Sequence, residues 1–133
     1  MRQGLEASID EALFVSIDLE TSGLDPKRNG IVSIGAVAVQ GGEVRLSRSF
    51  HSYVKPEGRF DQRSSLIHGV TQSSLLDKPG FEEVAPELLK MIEGAVLVGY
   101  NVSFDLGFLN EALRRHGYPP LKSPSIDVLP LAY

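Results

Sequence analysis

The sequence has no cysteine, which excludes a disulfide framework and a thiolate zinc site and fits a reducing compartment. No apolar stretch approaches the roughly 18 residues that a membrane-spanning helix needs. Met1-Arg-Gln-Gly-Leu-Glu6 lacks the apolar core of a secretory signal, so a cytoplasmic protein without a membrane segment is expected. Positive charge is also scarce, with 13 Lys and Arg against 17 Asp and Glu and a formal net charge of −4. That balance gives no general attraction to a polyanion or an anionic membrane. A nucleic-acid substrate would have to be held by local contacts and by metal, and acids gathered at a metal site would themselves contribute to the negative total. There is no internal repeat, no low-complexity segment and no composition shift that marks a second domain. At 133 residues, 42% hydrophobic and 23% charged, the chain fits one ordinary globular domain with a real core.

Turn residues and hydrophobic periodicity divide the chain. Residues 1–12 read as a polar lead-in and 13–133 as the folded domain. Leu13-Phe-Val-Ser-Ile17 is rich in β-branched and aromatic residues and predicts a strand with Asp18 and Glu20 at its end. Ser22-Gly-Leu-Asp-Pro-Lys-Arg-Asn-Gly30 is dense in turn formers and predicts a loop. Strands follow over 31–39 and 43–54, joined by a Gly41-Gly42 hairpin turn and paired antiparallel. A short helix is expected over 61–67. Phe81, Val84, Ala85, Leu88, Leu89 and Ile92 form a helical stripe, with Pro86 expected to kink rather than break it. Gly94 reads as its C-terminal cap and residues 95–98 as a short buried strand. Ser103 predicts the N-cap of a helix running to His116. A fifth strand is expected over 125–128, and another helix opens at Leu129.

Asp18 and Glu20 stand at the end of the first strand. Residues i and i+2 of a strand share a face, so the two carboxylates converge. Like charges held that close repel unless a cation lies between them, which points to a hard divalent metal with oxygen ligands. Asp105 falls on the apolar side of its helix near the positive N-terminal end, where an acid is rarely inert. Together the three acids predict a carboxylate cluster for one or two Mg²⁺ ions, the arrangement used in phosphodiester cleavage.

Phe14-Val-Ser-Ile-Asp-Leu-Glu-Thr-Ser-Gly-Leu-Asp-Pro26 resembles the first motif of the DEDD family of 3′–5′ exonucleases. Gly99-Tyr-Asn-Val-Ser-Phe-Asp-Leu-Gly-Phe-Leu109 resembles its second, with Asn101, Phe104 and Asp105 in register. Ile67-His-Gly-Val-Thr71 is similar to the intervening segment and Asp127-Val-Leu-Pro-Leu-Ala132 to the stretch after it. Two motifs in order make this a specific signal. The resemblance implies an α/β, ribonuclease H-like fold, a five-stranded mixed sheet flanked by helices. It implies Asp18, Glu20 and Asp105 as ligands for two Mg²⁺ or Mn²⁺ ions. It also implies Leu19, Thr21, Leu24, His68, Asn101 and Phe104 near the terminal nucleotide of a DNA or RNA 3′ end, with a DNA polymerase or helicase subunit as partner.

The family's third motif, a His followed five residues later by an Asp on a C-terminal helix, is absent from these 133 residues. That predicts a domain lacking its last helix, inactive when isolated, with an exposed apolar sheet face and a homodimer or partner packed on it. The competing reading is a non-catalytic remnant that binds nucleic acid or a polymerase. A haloacid-dehalogenase-type phosphatase would explain Asp18 but not the segment from Asn101 to Asp105. His68 reads equally as a backbone-capping turn residue and as a substrate contact. His51 and His116 read as structural or surface residues, and Asp127 as a backbone anchor. Arg45, Arg48, Lys55, Arg59 and Arg63 read as a solvated basic face or as a phosphate path.

Overall fold

Five strands form one mixed sheet in the order β3-β2-β1-β4-β5 in the computed structural model, which describes residues 11–128. They are β1 (Leu13–Thr21), β2 (Ile31–Gln40), β3 (Glu43–Tyr53), β4 (Val96–Gly99) and β5 (Ser125–Asp127). β1, β2 and β3 form an antiparallel meander, while β4 runs parallel to β1 and β5 parallel to β4. The helices are α1 (Gln62–His68), α2 (Phe81–Ile92) and α3 (Val102–Arg115), with a 3₁₀ turn at Ser73–Leu75. Gly41 and Gly42 have φ of +64° and +76°, the positive values at both central positions that a twist-matched two-residue hairpin requires.

Alternation along β1 sets the layers. Val15, Ile17 and Leu19 are buried in one core with the apolar stripes of α2 and α3, including Val84, Leu88, Ile92, Phe108, Leu109 and Leu113. Each such buried side chain contributes about 1.5–3 kcal/mol. The stripe of α2 buries as its spacing predicts, and the helix runs unbroken through Pro86. Gly94, at φ +76°, turns the chain out of α2 toward β4.

The other face carries Phe14, Ser16, Asp18 and Glu20 from β1. Register places Val37 and Val39 of β2, Val96 and Val98 of β4 and Ile126 of β5 on that face as well. The valines and Phe14 are half-buried and Ile126 is exposed. Among the described residues this face is therefore an apolar, half-covered sheet surface.

β1 runs through both acids to Thr21, with β2 paired to it as far as Thr21 opposite Ile31 across a bulge after Glu20. One local expectation is corrected. The N-cap of α3 is not Ser103 but Asn101, in left-handed backbone at φ 57° and ψ 49°, and the helix begins at Val102. Asn is among the few non-glycine residues that adopt this conformation readily. The expected lead-in falls largely on residues 1–10 and the expected final helix on 129–133, both outside the described residues.

Candidate active site

The site forms where β1 outruns its parallel neighbour. β4 pairs with β1 only as far as Ser16 opposite Val98, then gives way to α3 after two residues. The vacated edge of β1 is met by the first turn of α3. Asp105, 5% exposed, receives a backbone hydrogen bond there from Leu19. A buried acid is expensive unless it is hydrogen-bonded or paired, and this bond is part of what holds it. Burial still dominates: it raises the Asp105 carboxyl, with the charge of Asp18 adding, the Leu19 bond opposing, and Glu20 and Asp127 contributing, to a pKa of about 7.

Asp18 is exposed and Glu20 half-buried on the same face of β1. Three oxygen-bearing acids, two of which oppose the ionisation of Asp105, are a donor set suited to a hard divalent cation, which removes that cost. Among the described residues, Asp18, Glu20 and Asp105 are not drawn within 4.8 Å of one another as a trio. The set that close is Glu57, Glu82 and His116. There the His116 Nε2 lies 2.7 Å from a Glu57 carboxylate oxygen and its ring sits 5.8 Å from that of Phe81. His116 is therefore a half-buried clasp residue, in line with a structural reading. Asp127 anchors backbone: its Oδ1 accepts from the Asn101 N–H at 2.8 Å.

Beside the acids lies a cleft of about 580 Å³. One wall is Leu19, Glu20 and Thr21 of β1, continued by Leu24, Asp25 and Arg28 of the following loop; the other includes Arg59, Arg63, Ile67 and His68, with Phe104 of α3 between. Of the residues singled out in the sequence, Leu19, Glu20, Thr21, Leu24, His68 and Phe104 line this cleft, whereas Asp18, Asp105 and Asn101 do not. His68 both caps and lines. Its Nδ1 accepts from the Val70 N–H at 3.2 Å, so Nε2 carries the proton and donates to the Thr21 carbonyl at 3.2 Å. Arg59 and Arg63 reach the cleft, and Arg45, Arg48 and Lys55 do not.

Buried polar groups brace the cleft loop. Ser22 Oγ donates to the Arg59 carbonyl and accepts from the Gly30 N–H, both at 2.8 Å. Asn29 Nδ2 donates to the same Arg59 carbonyl at 2.8 Å while its Oδ1 accepts from the Asp25 N–H at 3.0 Å. Sequence reading missed Asn29 and Arg28. The only signal was the density of turn formers between Ser22 and Gly30.

Comparison with known proteins places this geometry. The chain is 39% identical over 127 residues to the DNA polymerase III PolC-type of Thermotoga petrophila, covering 96% of this chain and 9% of the relative. It is 36% identical over 127 residues to the DNA polymerase III subunit epsilon of Buchnera aphidicola, covering 89% of this chain and 51% of that one. It thus spans about a tenth of the first relative and about half of the second. Among solved structures, apo Exonuclease I superposes with a TM-score of 0.79 at 21% identity, over 88% of this chain and 29% of that one. E. coli Exonuclease I in complex with a dT13 oligonucleotide gives 0.78 at 21% identity, over 88% and 28%. The shared fold is ribonuclease H-like. The RNase_T exonuclease profile matches residues 15–133, and with the acids of β1 and α3 in place the chain belongs to this family of DEDD-type exonucleases.

Proposed function

We propose that this chain is the nuclease domain of a metal-dependent 3′–5′ exonuclease that releases nucleoside monophosphates from DNA or RNA ends. The observation that supports this most is Asp105, buried at the end of β1, its carboxyl pushed to about 7 by burial and by Asp18 and Glu20. Asp18, Glu20 and Asp105 would hold two Mg²⁺ or Mn²⁺ ions, which when bound activate water and stabilise the leaving oxygen. Glu20 links the acids to the cleft, since it lines that cavity. Leu19, Thr21, Leu24, His68 and Phe104 bind the terminal nucleotide there, with Asn101 holding the start of α3 beside it. His68 keeps its proton on Nε2 and offers no free base, because Nδ1 is already bonded.

No residue within these 133 is assigned as the base. A second reading is a domain that binds metal and nucleic acid without turning it over. The relatives are named as DNA polymerase III proteins, and we take a replicative polymerase in the cytoplasm as the partner. The half-exposed apolar part of the open sheet face is the surface proposed for a homodimer.

The test combines Mn²⁺ titration calorimetry with Mn²⁺-dependent degradation of a 5′-labelled oligonucleotide. The exonuclease reading expects Mn²⁺ binding and one-nucleotide shortening, both lost in Asp18→Ala. Binding without shortening supports the second reading, and shortening that survives Asp18→Ala overturns the site assignment.

A further inference from the structure

The acids of β1 have neighbours on the open face that lie two strands away. Asp18 stands opposite Gly35 of β2, and Gly35 opposite His51 of β3. The next row in the same direction is Glu20, Ser33 and Tyr53. Laterally paired residues point to one face, so the carboxylates of β1 and the rings of β3 rise from the same side. Between them the side chains are minimal, a glycine and a buried serine. A Cβ built on Gly35 would lie 3.8 Å from Cδ2 of His51, in ordinary van der Waals contact, which places the imidazole beside the glycine. Tyr53 holds that ring edge to face at 5.2 Å and 89°. Among the described residues, neither ring nitrogen of His51 has a hydrogen-bond partner, and the residue is exposed.

The open face is therefore divided. Most of it is apolar, and one end collects two acids, an imidazole and a phenol. Two strand spacings separate β1 from β3, roughly 10 Å. Across that span the row carries only Gly35 and Ser33 between the acids and the rings. Carboxylates repel a phosphoryl group unless it carries a cation, whereas an imidazole N–H donates to its oxygen directly.

We propose that His51 is a substrate-binding residue of this site, donating from its ring to a non-bridging oxygen of the phosphoryl group that the acids of β1 face, with Tyr53 fixing the ring. This rests on the exonuclease reading. It adds a contact from the far strand of the meander, at a residue whose sequence context suggested only a structural or surface role.

The test is binding of thymidine 5′-monophosphate, with Mg²⁺ present, to the whole chain and to His51→Ala, His51→Gln and Asp18→Ala, with thymidine as the phosphate-free control. His51→Ala should weaken the nucleotide about tenfold, the size of one hydrogen bond to a charged group. It should leave thymidine unchanged, and His51→Gln, which keeps a donor, should recover part of the loss. The imidazole proton resonances of His51 should move on adding the nucleotide and not on adding thymidine. Unchanged nucleotide affinity in His51→Ala, with affinity lost in Asp18→Ala, overturns the role of His51 alone. Affinity retained in both variants overturns the site and the role with it. Equal loss of nucleotide and thymidine in His51→Ala also overturns the proposal, because it marks a structural effect.

Discussion

The Asp127 Oδ1 accepts the Asn101 backbone N–H at 2.8 Å, so the last described strand fixes the residue that starts α3. Two consequences follow for stability. Asp127→Ala should cost about 1 kcal/mol, the loss of one exposed hydrogen bond. It should also ease ionisation of Asp105, since Asp127 is among the charges that oppose it. Asn101→Val should cost about 1–2 kcal/mol because a β-branched residue resists left-handed backbone, whereas Asn101→Gly should be close to neutral. Urea unfolding of the three variants checks both.

Stability should fall as pH rises. The Asp105 carboxyl titrates near 3.8 when unfolded and at about 7 when folded. Between those values the folded chain keeps a proton that the unfolded chain has released, so each step up in pH favours unfolding. The full effect is on the order of 4 kcal/mol, complete above pH 7. Asp105→Asn should flatten the profile, matching the parent near pH 4 and exceeding it at pH 8. Mn²⁺ at pH 8 should raise the melting temperature of the parent and not of Asp105→Asn.

Close backbone approach at Gly30 sets a third expectation. A Cβ there would lie 2.3 Å from the Glu57 carbonyl oxygen and 2.7 Å from the Glu57 nitrogen. Backbone atoms yield little, so Gly30→Ala should cost about 3 kcal/mol. Asn29→Ala should cost less, about 1–2 kcal/mol, because it removes the part-buried bonds to the Arg59 carbonyl and from the Asp25 N–H while Ser22 Oγ still donates to that carbonyl. Thermal unfolding measures each, and Gly23→Ala, whose Cβ would first meet the Asn29 side chain rather than backbone, is the informative comparison.

His68→Ala should remove the bonds to Val70 and Thr21 together and lower stability by about 1–2 kcal/mol. Amide exchange at Val70 should accelerate in the variant more than exchange in the interior of α3. Uniform acceleration across the domain would count against a local capping role.

Much of this molecule is legible in its pattern. The two acids of β1 share a face because strands have a period of two, and the stripe of α2 buries as spaced. The Gly41-Gly42 turn forms because only such residues supply the required φ. What the pattern does not carry is the contact of Asp105 with Leu19, which depends on β4 being shorter than β1. Nor does it carry the row from Asp18 to His51, since register across three strands has no local signature. Asn101 was passed over for Ser103 because propensity ranks side-chain capping, and here the backbone conformation decides. The cleft brace escaped for a similar reason: Ser22 and Asn29 bond to a carbonyl 37 and 30 residues away, and any amino acid has a carbonyl.

That last fact separates architecture from specificity at one position. Both tethers reach Arg59 through its main chain alone, while its side chain, ion-paired to Asp61 at 3.2 Å, lines the cleft. Substitution at 59 thus changes the charge presented to a ligand without loosening the wall that presents it, whereas Ser22 and Asn29 have no such latitude. A lineage can retune what the cleft prefers at residue 59 while the scaffold stays still.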